Sequence, residues 1–257
     1  MIMIQVTNLT KKFKLSKQQK KKMHLSGDWV TAVDDISLQC NPGRIFSLLG
    51  PNGAGKTTTL RLISTLLQPT NGSVKVAGLD TQKHGQQVRG KIGFLTGSTG
   101  LYDRLTPEEV VSYFGKLNGM DGETLKSRRN ELFQMLGIHK FSGKRIGELS
   151  SGMKQKVSIA RTMIHDPEVV IFDEPTSGLD VITAESIIDL IRQCKEQNKT
   201  VMFSSHIMSE VDLLCDDLAI IHDGNILYND TMEQFRSQMQ SDSLTKEFIR
   251  IINEHQN

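Results

Sequence analysis

The stretch that decides the fold runs from Ile45 to Thr57 and reads Ile-Phe-Ser-Leu-Leu-Gly-Pro-Asn-Gly-Ala-Gly-Lys-Thr. Its first five residues are almost wholly apolar, which is typical of a central parallel strand buried on both faces. Gly50–Thr57 then matches the G-x-x-x-x-G-K-[ST] pattern of a phosphate-binding loop, and helical periodicity begins at Lys56. This context of a strand before the loop and a helix after it predicts a nucleotide-binding α/β core.

The residue types of the loop indicate what it binds. Glycines let the backbone turn tightly and present N–H groups to an anion at a helix N-terminus. Lys56 is placed to contact the β and γ phosphates, and the Thr57 hydroxyl can ligate Mg²⁺. By itself the loop predicts ATP or GTP with Mg²⁺. The candidate nucleotide ligands are Gly50, Pro51, Asn52, Gly53, Ala54, Gly55, Lys56, Thr57 and Thr58.

Two carboxylates end a second apolar strand further along the chain. Val169–Phe172 is followed directly by Asp173 and Glu174. Asp173, at the C-terminal end of the strand, is placed to hold Mg²⁺ through water. Glu174 points differently and can polarise an attacking water. An incidental pair of surface carboxylates is the alternative interpretation.

Composition limits the class of protein. The chain has 257 residues with 37% hydrophobic and 23% charged side chains, and its apolar runs are strand-sized. None approaches the roughly 18 apolar residues that cross a bilayer, so no membrane span is predicted, and no signal-peptide pattern opens the chain. Cys40, Cys194 and Cys215 fit neither a disulfide framework nor a zinc site and indicate reduced thiols.

The net charge of +2 hides a cluster of seven lysines between Lys11 and Lys22, and the rest of the chain is acidic. That balance argues against nucleic acid as the main partner. The segment from Lys14 to about Gly27 lacks apolar periodicity, and we expect a loop or partial disorder there. It either touches anionic lipid headgroups, at roughly 1 kcal/mol per lysine, or is a solvated insertion.

Strands and helices alternate along both ends of the chain, which predicts the α/β class. Met3–Leu9 is expected to be an edge strand, and Asn71-Gly72 a hairpin turn. The middle, from Leu101 to about His165, has helical periodicity alone, with candidate helices at Pro107–Leu117, Glu123–Leu136 and Ser151–Ile164. This middle segment is expected to be a subdomain inserted into the core.

Three further motifs follow in a fixed order. Leu149–Met153 reads LSSGM and resembles the LSGGQ signature of the ABC transporter ATPase subunits. Ser177–Asp180 is similar to the D-loop of that family, and His206 to its switch histidine. Taken alone, His206 could be an ordinary strand-end histidine and Ser150 only a helix N-cap. Together with the phosphate loop and Glu174, the motifs resemble this family from about residue 3 to 230.

The resemblance implies a fold and a working unit. The fold is a P-loop NTPase (RecA-like) core, 1–97 and 166–230, with an antiparallel β edge, an inserted helical subdomain, 98–165, and a C-terminal helical tail, 231–257. The working unit is a head-to-tail homodimer in which Ser150, Ser151, Gly152 and Asp180 of one copy close the ATP site of the other. Glu174, His206 and Lys56 are the implied catalytic residues.

The family likeness also implies a separate multi-span permease, docked near residues 97–115, and a peripheral location on the cytoplasmic face of the cell membrane. The stretch Thr99–Thr106 resembles exporter ATPases, and among these the sodium-extruding transporters of bacteria. Sodium is therefore one expected cargo, while drugs, lipids and peptides stay open. A soluble ABC protein acting on ribosomes or DNA, and a nucleotide-binding module without turnover, are the rival classes.

The sequence departs from the family pattern at three places. Ser151 and Met153 replace a glycine and a glutamine of the signature. Gly97 stands where the family has the glutamine that arranges Mg²⁺ and water, and Ser98 or Thr99 could substitute for it. The aromatic residue that stacks on adenine is expected to be Phe13, with Trp29 as the competitor.

Overall fold

Two β-sheets form the centre of the fold in the computed structural model, which describes residues 2–16, 18, 20, 27–96 and 100–256. The strands are β1 (Ile4–Lys14), β2 (Trp29–Cys40), β3 (Ile45–Leu49), β4 (Asn71–Val76), β5 (Leu79–Asp80), β6 (Ile92–Thr96), β7 (Val169–Asp173), β8 (Thr200–Ser205), β9 (Asp217–His222) and β10 (Asn225–Thr231).

The larger sheet has the order β10-β9-β3-β8-β7-β6. Its strands β9, β3, β8, β7 and β6 run parallel, and β10 returns antiparallel to β9 through a hairpin at Asp223-Gly224. Every residue of β3, β7 and β8 is buried, which agrees with their apolar sequences. Because parallel strands end at the same edge, the residues that follow β3, β7 and β8 are brought together there.

The smaller sheet is antiparallel, with the order β2-β1-β4-β5. The prediction of an edge strand at Met3–Leu9 is wrong, because β1 extends to Lys14 and pairs with β2 on one side and β4 on the other. The buried side chains of Ile4, Val6 and Leu9 anchor it to the core. Three lysines of the basic cluster, Lys11, Lys12 and Lys14, therefore belong to this strand.

The prediction of a hairpin turn at Asn71-Gly72 is also wrong. Both residues begin β4, and Gly72 is required because a Cβ there would lie 2.2 Å from the Asn8 carbonyl oxygen of β1. The turn lies instead at Ala77-Gly78, between β4 and β5, where both residues have positive φ. The asparagine–glycine pair marks a close approach between strands and not a reversal of the chain.

Helices cover the sheets and fill the middle of the chain. They are α1 (Lys56–Ile63), α2 (Gly85–Lys91), α3 (Pro107–Leu117), α4 (Gly122–Met135), α5 (Ser151–Met163), α6 (Val181–Glu196), α7 (Met208–Leu214), α8 (Met232–Gln238) and α9 (Leu244–Gln256). The segment between β6 and β7 contains α3, α4 and α5 with two short 3₁₀ turns and no strand in its described part, 100–168. The three helices expected there are confirmed to within one residue at each end.

Local sequence explains where these helices begin. Thr106 and Glu109 form a reciprocal capping box at the start of α3, and Pro107 occupies its first turn. Asp121 caps α4 by accepting hydrogen bonds from the backbone N–H groups of Glu123 and Thr124. A buried apolar cluster joins these helices to the large sheet, and a second cluster lies between the two sheets.

The cysteines lie outside any disulfide. Cys40, Cys194 and Cys215 are free thiols, and burial raises the pKa of Cys40 to about 12 and that of Cys194 to about 11. At neutral pH these thiols are protonated and poorly nucleophilic. Within the described ranges, no helix has the length and apolar character needed to cross a bilayer.

Two expectations fall wholly or partly outside the described residues. Gly97, with its possible substitutes Ser98 and Thr99, is one of them. Of the lysine-rich segment, residues 17, 19 and 21–26 also lie outside. At Lys20, the N–H group donates to the Ser16 carbonyl, and the ammonium pairs with Asp28. The described part therefore includes a helical turn, not only the loop that was expected.

Candidate functional site

The phosphate-binding loop closes a cavity at the end of β3. Gly53 and Gly55 have φ values of +85° and +109°, a region that favours glycine. A Cβ on Gly55 would lie 2.5 Å from the Ala32 carbonyl oxygen, so no larger residue fits against β2. The cavity has a volume of about 310 Å³ and is lined by Ala32, Asn52, Gly53, Ala54, Gly55, Lys56, Thr57, Thr58 and Glu174.

Lys56 places a buried positive charge at the base of this cavity. Its side chain is 4% exposed, and its Nζ donates to the carbonyl oxygens of Gly50 and Pro51 at 2.7 and 3.0 Å. The same Nζ lies 3.3 Å from Glu174 Oε1. A buried ammonium needs such partners. The loop thus holds a cation beside the backbone N–H groups that an anion would contact.

Asp173 joins the phosphate loop to the second carboxylate strand. Its Oδ1 accepts hydrogen bonds from the hydroxyl of Thr57 at 2.9 Å and from that of Ser204 at 2.8 Å. In the described part of the chain, no group of three or more histidine, cysteine or acidic side chains could hold a metal by itself. The oxygens of Thr57 and Asp173 nevertheless suit Mg²⁺, which takes few protein ligands and completes its shell with phosphate and water.

Glu174 and His206 face each other at the rim of the cavity. The Nδ1 atom of His206 lies 3.4 Å from Glu174 Oε1, and both side chains are partly exposed. Glu174 has φ +49°, outside the regions that non-glycine residues prefer, and its N–H donates to Ser204 Oγ at 3.0 Å. This conformation separates its side chain from that of Asp173. A carboxylate, an imidazole and the Lys56 ammonium therefore share one opening.

The signature segment lies at the start of α5. Ser150 caps this helix, because its Oγ accepts a hydrogen bond from the Met153 N–H at 3.3 Å, and Ser150 and Ser151 are exposed. None of the described residues that line the phosphate-loop cavity belongs to 149–153. Within one chain, the signature therefore lies outside the phosphate-loop cavity.

Asp180 is connected to the signature segment through Thr183. It caps α6, and its two carboxylate oxygens accept from the N–H and hydroxyl of Thr183 at 3.0 and 2.8 Å. The hydrogen bond from the Thr183 side chain, with that from its backbone, lowers the pKa of Asp180. A Cβ on Gly152 would lie 2.9 Å from Thr183 Oγ1, so the two helix starts are packed in contact.

The two candidate adenine-stacking residues lie on opposite faces of the small sheet. Phe13 pairs with Val30 across the β1–β2 ladder, and Lys14 pairs with Trp29. Since side chains alternate along a strand, Phe13 and Trp29 point to different faces. Phe13 is half-buried under the Lys11 ammonium, at 5.1 Å from its ring centre, whereas Trp29 is 58% exposed. At most one of them can face the nucleotide.

Four residues of this region were missed by sequence reasoning. Gln155 Nε2 donates to the Pro175 carbonyl at 3.2 Å, and both residues line a second cavity of about 480 Å³ that also contains Ser151 and Glu174. Ser204, Thr176 and Glu210 form hydrogen bonds around Glu174 and His206. The only sequence signal for them was a pair of hydroxyl residues, Ser204-Ser205, directly before His206.

Comparison with known proteins agrees with this arrangement. A family model described as "ABC transporter" matches residues 33–177. The chain is 42% identical to the ABC transporter ATP-binding protein NatA of Bacillus subtilis (strain 168), over 96% of this chain and 97% of that protein. It is 38% identical to the bacitracin transport ATP-binding protein BcrA of Bacillus licheniformis, over 76% of this chain and 63% of that protein.

Comparison with solved structures also finds ABC cassettes. One of them is the dimeric structure of a post-hydrolysis state of the ATP-binding cassette MJ0796 bound to ADP and Pi. It superimposes with a TM-score of 0.79 and 27% identity, covering 90% of this chain and 99% of that chain. The match therefore spans the phosphate loop, both carboxylates and the signature together.

Proposed function

This chain belongs to the ABC transporter family as an ATP-binding subunit that hydrolyses ATP to drive transport, and we propose that it powers an exporter whose membrane-spanning part is a separate permease. The observation that carries the proposal is that Lys56, Glu174 and His206 share one opening. Glu174 Oε1 lies 3.3 Å from Lys56 Nζ and 3.4 Å from His206 Nδ1. These are the groups that phosphoryl transfer to water requires: a cation, a base and a polar group for the γ-phosphate.

Each side chain of the opening has a role in hydrolysis. Backbone N–H groups of the loop between Asn52 and Thr58, with the Lys56 ammonium, bind the phosphates of ATP and stabilise the charge that develops during transfer. Glu174, whose carboxylate reaches the rim, orients the attacking water and accepts its proton. His206 holds the γ-phosphate in line with that water. Thr57 and, through water, Asp173 would hold Mg²⁺, which would neutralise phosphate charge.

A head-to-tail homodimer completes the site. The exposed N-terminus of α5 at Ser150, Ser151 and Gly152 offers free backbone N–H groups, and these suit the γ-phosphate of a second copy. Asp180 lies at the same surface. Beside it, Val181 and Ile182 are 84% and 82% exposed, which is apolar area that a second copy would cover. The relative MJ0796, which is dimeric with ADP and Pi bound, supports this arrangement.

We assign residues 1–97 and 166–230 to the ATP-binding core, 98–165 to a helical subdomain and 231–257 to a C-terminal tail. The support is the order of elements, because α3, α4 and α5 interrupt the succession of parallel strands between β6 and β7. ATP-dependent movement of this subdomain relative to the core would transmit closure to the permease.

The permease docks in a groove between the core and the helical subdomain. This groove has a volume of about 310 Å³, lies beside the expected docking region 97–115, and has an apolar floor formed by Ile92, Phe94 and Phe114. Leu66, Tyr113 and Leu117 leave further apolar surface exposed nearby. Docking there places the chain on the cytoplasmic face of the cell membrane as a peripheral subunit.

Sodium is the proposed cargo, on the resemblance of the segment around Thr99–Thr106 to sodium-extruding exporters. Export of a drug, lipid or peptide is the second candidate, because a relative at 38% identity is named as a bacitracin transport protein. Cargo recognition belongs to the permease, so both candidates share the same ATP-hydrolysing mechanism.

The test is transport in vesicles that contain this chain together with a candidate permease, sought among the genes that neighbour its own. We expect ATP to drive sodium movement, and Glu174→Gln to abolish both transport and phosphate release while ATP binding persists, because only the base is lost. Sodium flux and phosphate release are measured in parallel. ATP-driven movement of bacitracin without sodium flux would favour the second candidate, and normal turnover by the Glu174→Gln variant would contradict the assignment of the base.

A further inference from the structure

A buried carboxylate that has no part in the mechanism above lies directly behind the opening. Glu210 belongs to α7 and is only 8% exposed. Its Oε1 accepts a hydrogen bond from the Thr176 hydroxyl at 2.5 Å, and its Oε2 accepts one from the Ser205 hydroxyl at 2.9 Å. Thr176 follows Glu174 by two residues and Ser205 immediately precedes His206, so one side chain joins the two segments that carry those residues.

The hydrogen bonds on the histidine side fix the backbone around His206. The Ser205 hydroxyl, besides donating to Glu210, accepts from the N–H of Ile207 at 3.0 Å. The Ser205 hydroxyl therefore connects Ser205 with Ile207, the residues on both sides of His206, and it is itself hydrogen-bonded to Glu210. The imidazole, exposed at the rim, depends on this backbone for its position opposite Glu174.

The hydrogen bonds on the glutamate side lead toward Asp180. The N–H of Ser177 donates to the Glu174 carbonyl at 3.2 Å, and the N–H of Leu179 donates to the Thr176 carbonyl at 3.2 Å. These turns make the segment from Glu174 to Asp180 one compact unit. Because Thr176 belongs to it, hydrogen bonds join the Asp180 segment through Glu210 to the histidine segment.

Burying the Glu210 carboxylate costs free energy, which indicates that its hydrogen bonds to the two segments serve a function. Among the residues that the structure describes, no lysine, arginine or histidine pairs with Glu210. A buried carboxylate without a cation is unfavourable, and two hydroxyl donors compensate for it only in part. An apolar residue would avoid burying a carboxylate, but it would leave the buried Thr176 and Ser205 hydroxyls without an acceptor and the two segments unconnected.

We propose that Glu210 is a positioning residue, which with Thr176 and Ser205 holds His206 in register with Glu174 and couples both to the Asp180 segment. It does not touch ATP. The proposal rests on the roles assigned above to Glu174 and His206 and adds to them the connection between the ATP site and the surface expected to meet the second copy.

The most direct test removes the hydrogen bond between Thr176 and Glu210 and nearly preserves the shape of the threonine side chain. For Thr176→Val we expect kcat for ATP hydrolysis to fall about tenfold or more, as expected for losing a buried hydrogen bond to a charged group. The Kd for ATP should stay within about twofold, because the phosphate loop is untouched. Thr176→Ser restores the hydroxyl and should recover the rate. Ser205→Ala, which breaks the other end, should lower kcat in the same way.

A matched control separates positioning from general destabilisation. Thr81→Val makes the same substitution at another buried threonine, near the small sheet and away from the site, and should leave kcat unchanged. Thermal unfolding midpoints are measured for every variant. The proposal is overturned if Thr176→Val keeps the wild-type kcat, if its Kd for ATP rises in step with the loss of rate, or if Thr176→Ser shows no recovery.

The outcome is distinguishable from a failure of the proposed function. If Glu174→Gln retains turnover, the assignment of the catalytic base is wrong, whatever the Thr176 variants do. If Glu174→Gln is inactive and Thr176→Val is fully active, only the positioning role of Glu210 is rejected.

Discussion

At the scale of single residues, the backbone at Glu174 shows how two adjacent carboxylates can have different tasks. Asp173 continues the strand and accepts hydrogen bonds from Thr57 and Ser204, whereas Glu174 adopts φ +49° and reaches the rim. A non-glycine residue in that region is held at a cost of order 1–3 kcal/mol. The bond from its N–H to Ser204 Oγ stabilises this conformation.

Adenine recognition gives the prediction that belongs to this scale. We expect Phe13→Ala to raise the Kd for ATP about tenfold, because stacking on an aromatic ring contributes roughly 1–3 kcal/mol per base. Trp29→Ala should change it little, since Trp29 lies on the other face of the sheet and is largely exposed. Titration calorimetry measures both variants against the wild type. A larger loss for Trp29→Ala would assign the stacking role to Trp29.

At the scale of elements, one buried carboxylate joins the tail helix α9 to the segment that precedes it, while apolar side chains of the helix pack on the core. Glu247 is 2% exposed, and its Oε2 accepts from the backbone N–H groups of Gln240 and Ser241, both at 3.0 Å. Its Oε1 accepts from Arg250, which also pairs with Glu254. The segment between α8 and α9 is thus bound to the helix that follows it.

The pKa of Glu247 makes this attachment depend on pH. The Arg250 hydrogen bond lowers the pKa of Glu247 in the folded state against the opposing effect of burial, and the Gln240 backbone N–H and the Ser241 side chain add to the lowering. Stabilisation from this group is therefore present above its unfolded pKa and is lost as pH falls through the lower folded pKa. We expect α9 to lose protection against hydrogen exchange, relative to the core strands, as the pH falls below the ordinary glutamate pKa of about 4.3.

Two substitutions distinguish the contribution of Glu247 from that of the other acidic residues. Glu247→Gln should loosen α9 at neutral pH and remove most of its acid dependence. Glu254→Gln changes an exposed partner of the same arginine and should alter neither. An equal effect of the two substitutions would show that surface charge, not the buried carboxylate, holds the helix.

At the scale of the whole molecule, the motifs are divided between two places. The described residues that line the phosphate-loop cavity include no signature residue, although Ser151 and Glu174 both line the neighbouring cavity. The contact between Gly152 and Thr183 binds the signature to the Asp180 helix instead. This distribution supports the proposed head-to-tail homodimer, in which a second copy would cover both places.

Mixing two inactive subunits tests the head-to-tail arrangement. Lys56→Met inactivates the phosphate loop, and Ser151→Glu places a negative charge where the partner's γ-phosphate would bind, while an acidic residue in the first turn does not weaken α5. Either variant alone should be inactive. Their mixture should regain about a quarter of wild-type turnover, because half of random dimers combine one intact loop with one intact signature.

The control for this experiment is Ser151→Gln, which has a similar shape without the charge and should remain active alone. Phosphate release is measured as the two subunits are titrated against each other. No recovery in the mixture, with both variants folded and able to dimerise, would contradict the exchange of sites between subunits.

The sequence by itself determined the phosphate loop, strands β3 and β7, the helices of the middle segment and the family. These features depend on residues close together in the chain: an apolar run, a glycine spacing, a capping residue. It also predicted the residue types expected to bind ATP and cleave it. The LSSGM segment was recognised as a signature although two of its five residues depart from the family pattern.

Only the tertiary structure decided which of these residues meet. It showed that β1 is an interior strand, that Gly72 permits a close approach to Asn8, and that Glu210 joins Thr176 to Ser205. Each of these depends on which strands become neighbours, and the partners are separated by up to tens of residues in sequence. Local periodicity carries no information about such pairings, because sheet order is set by how buried surfaces fit across the whole chain.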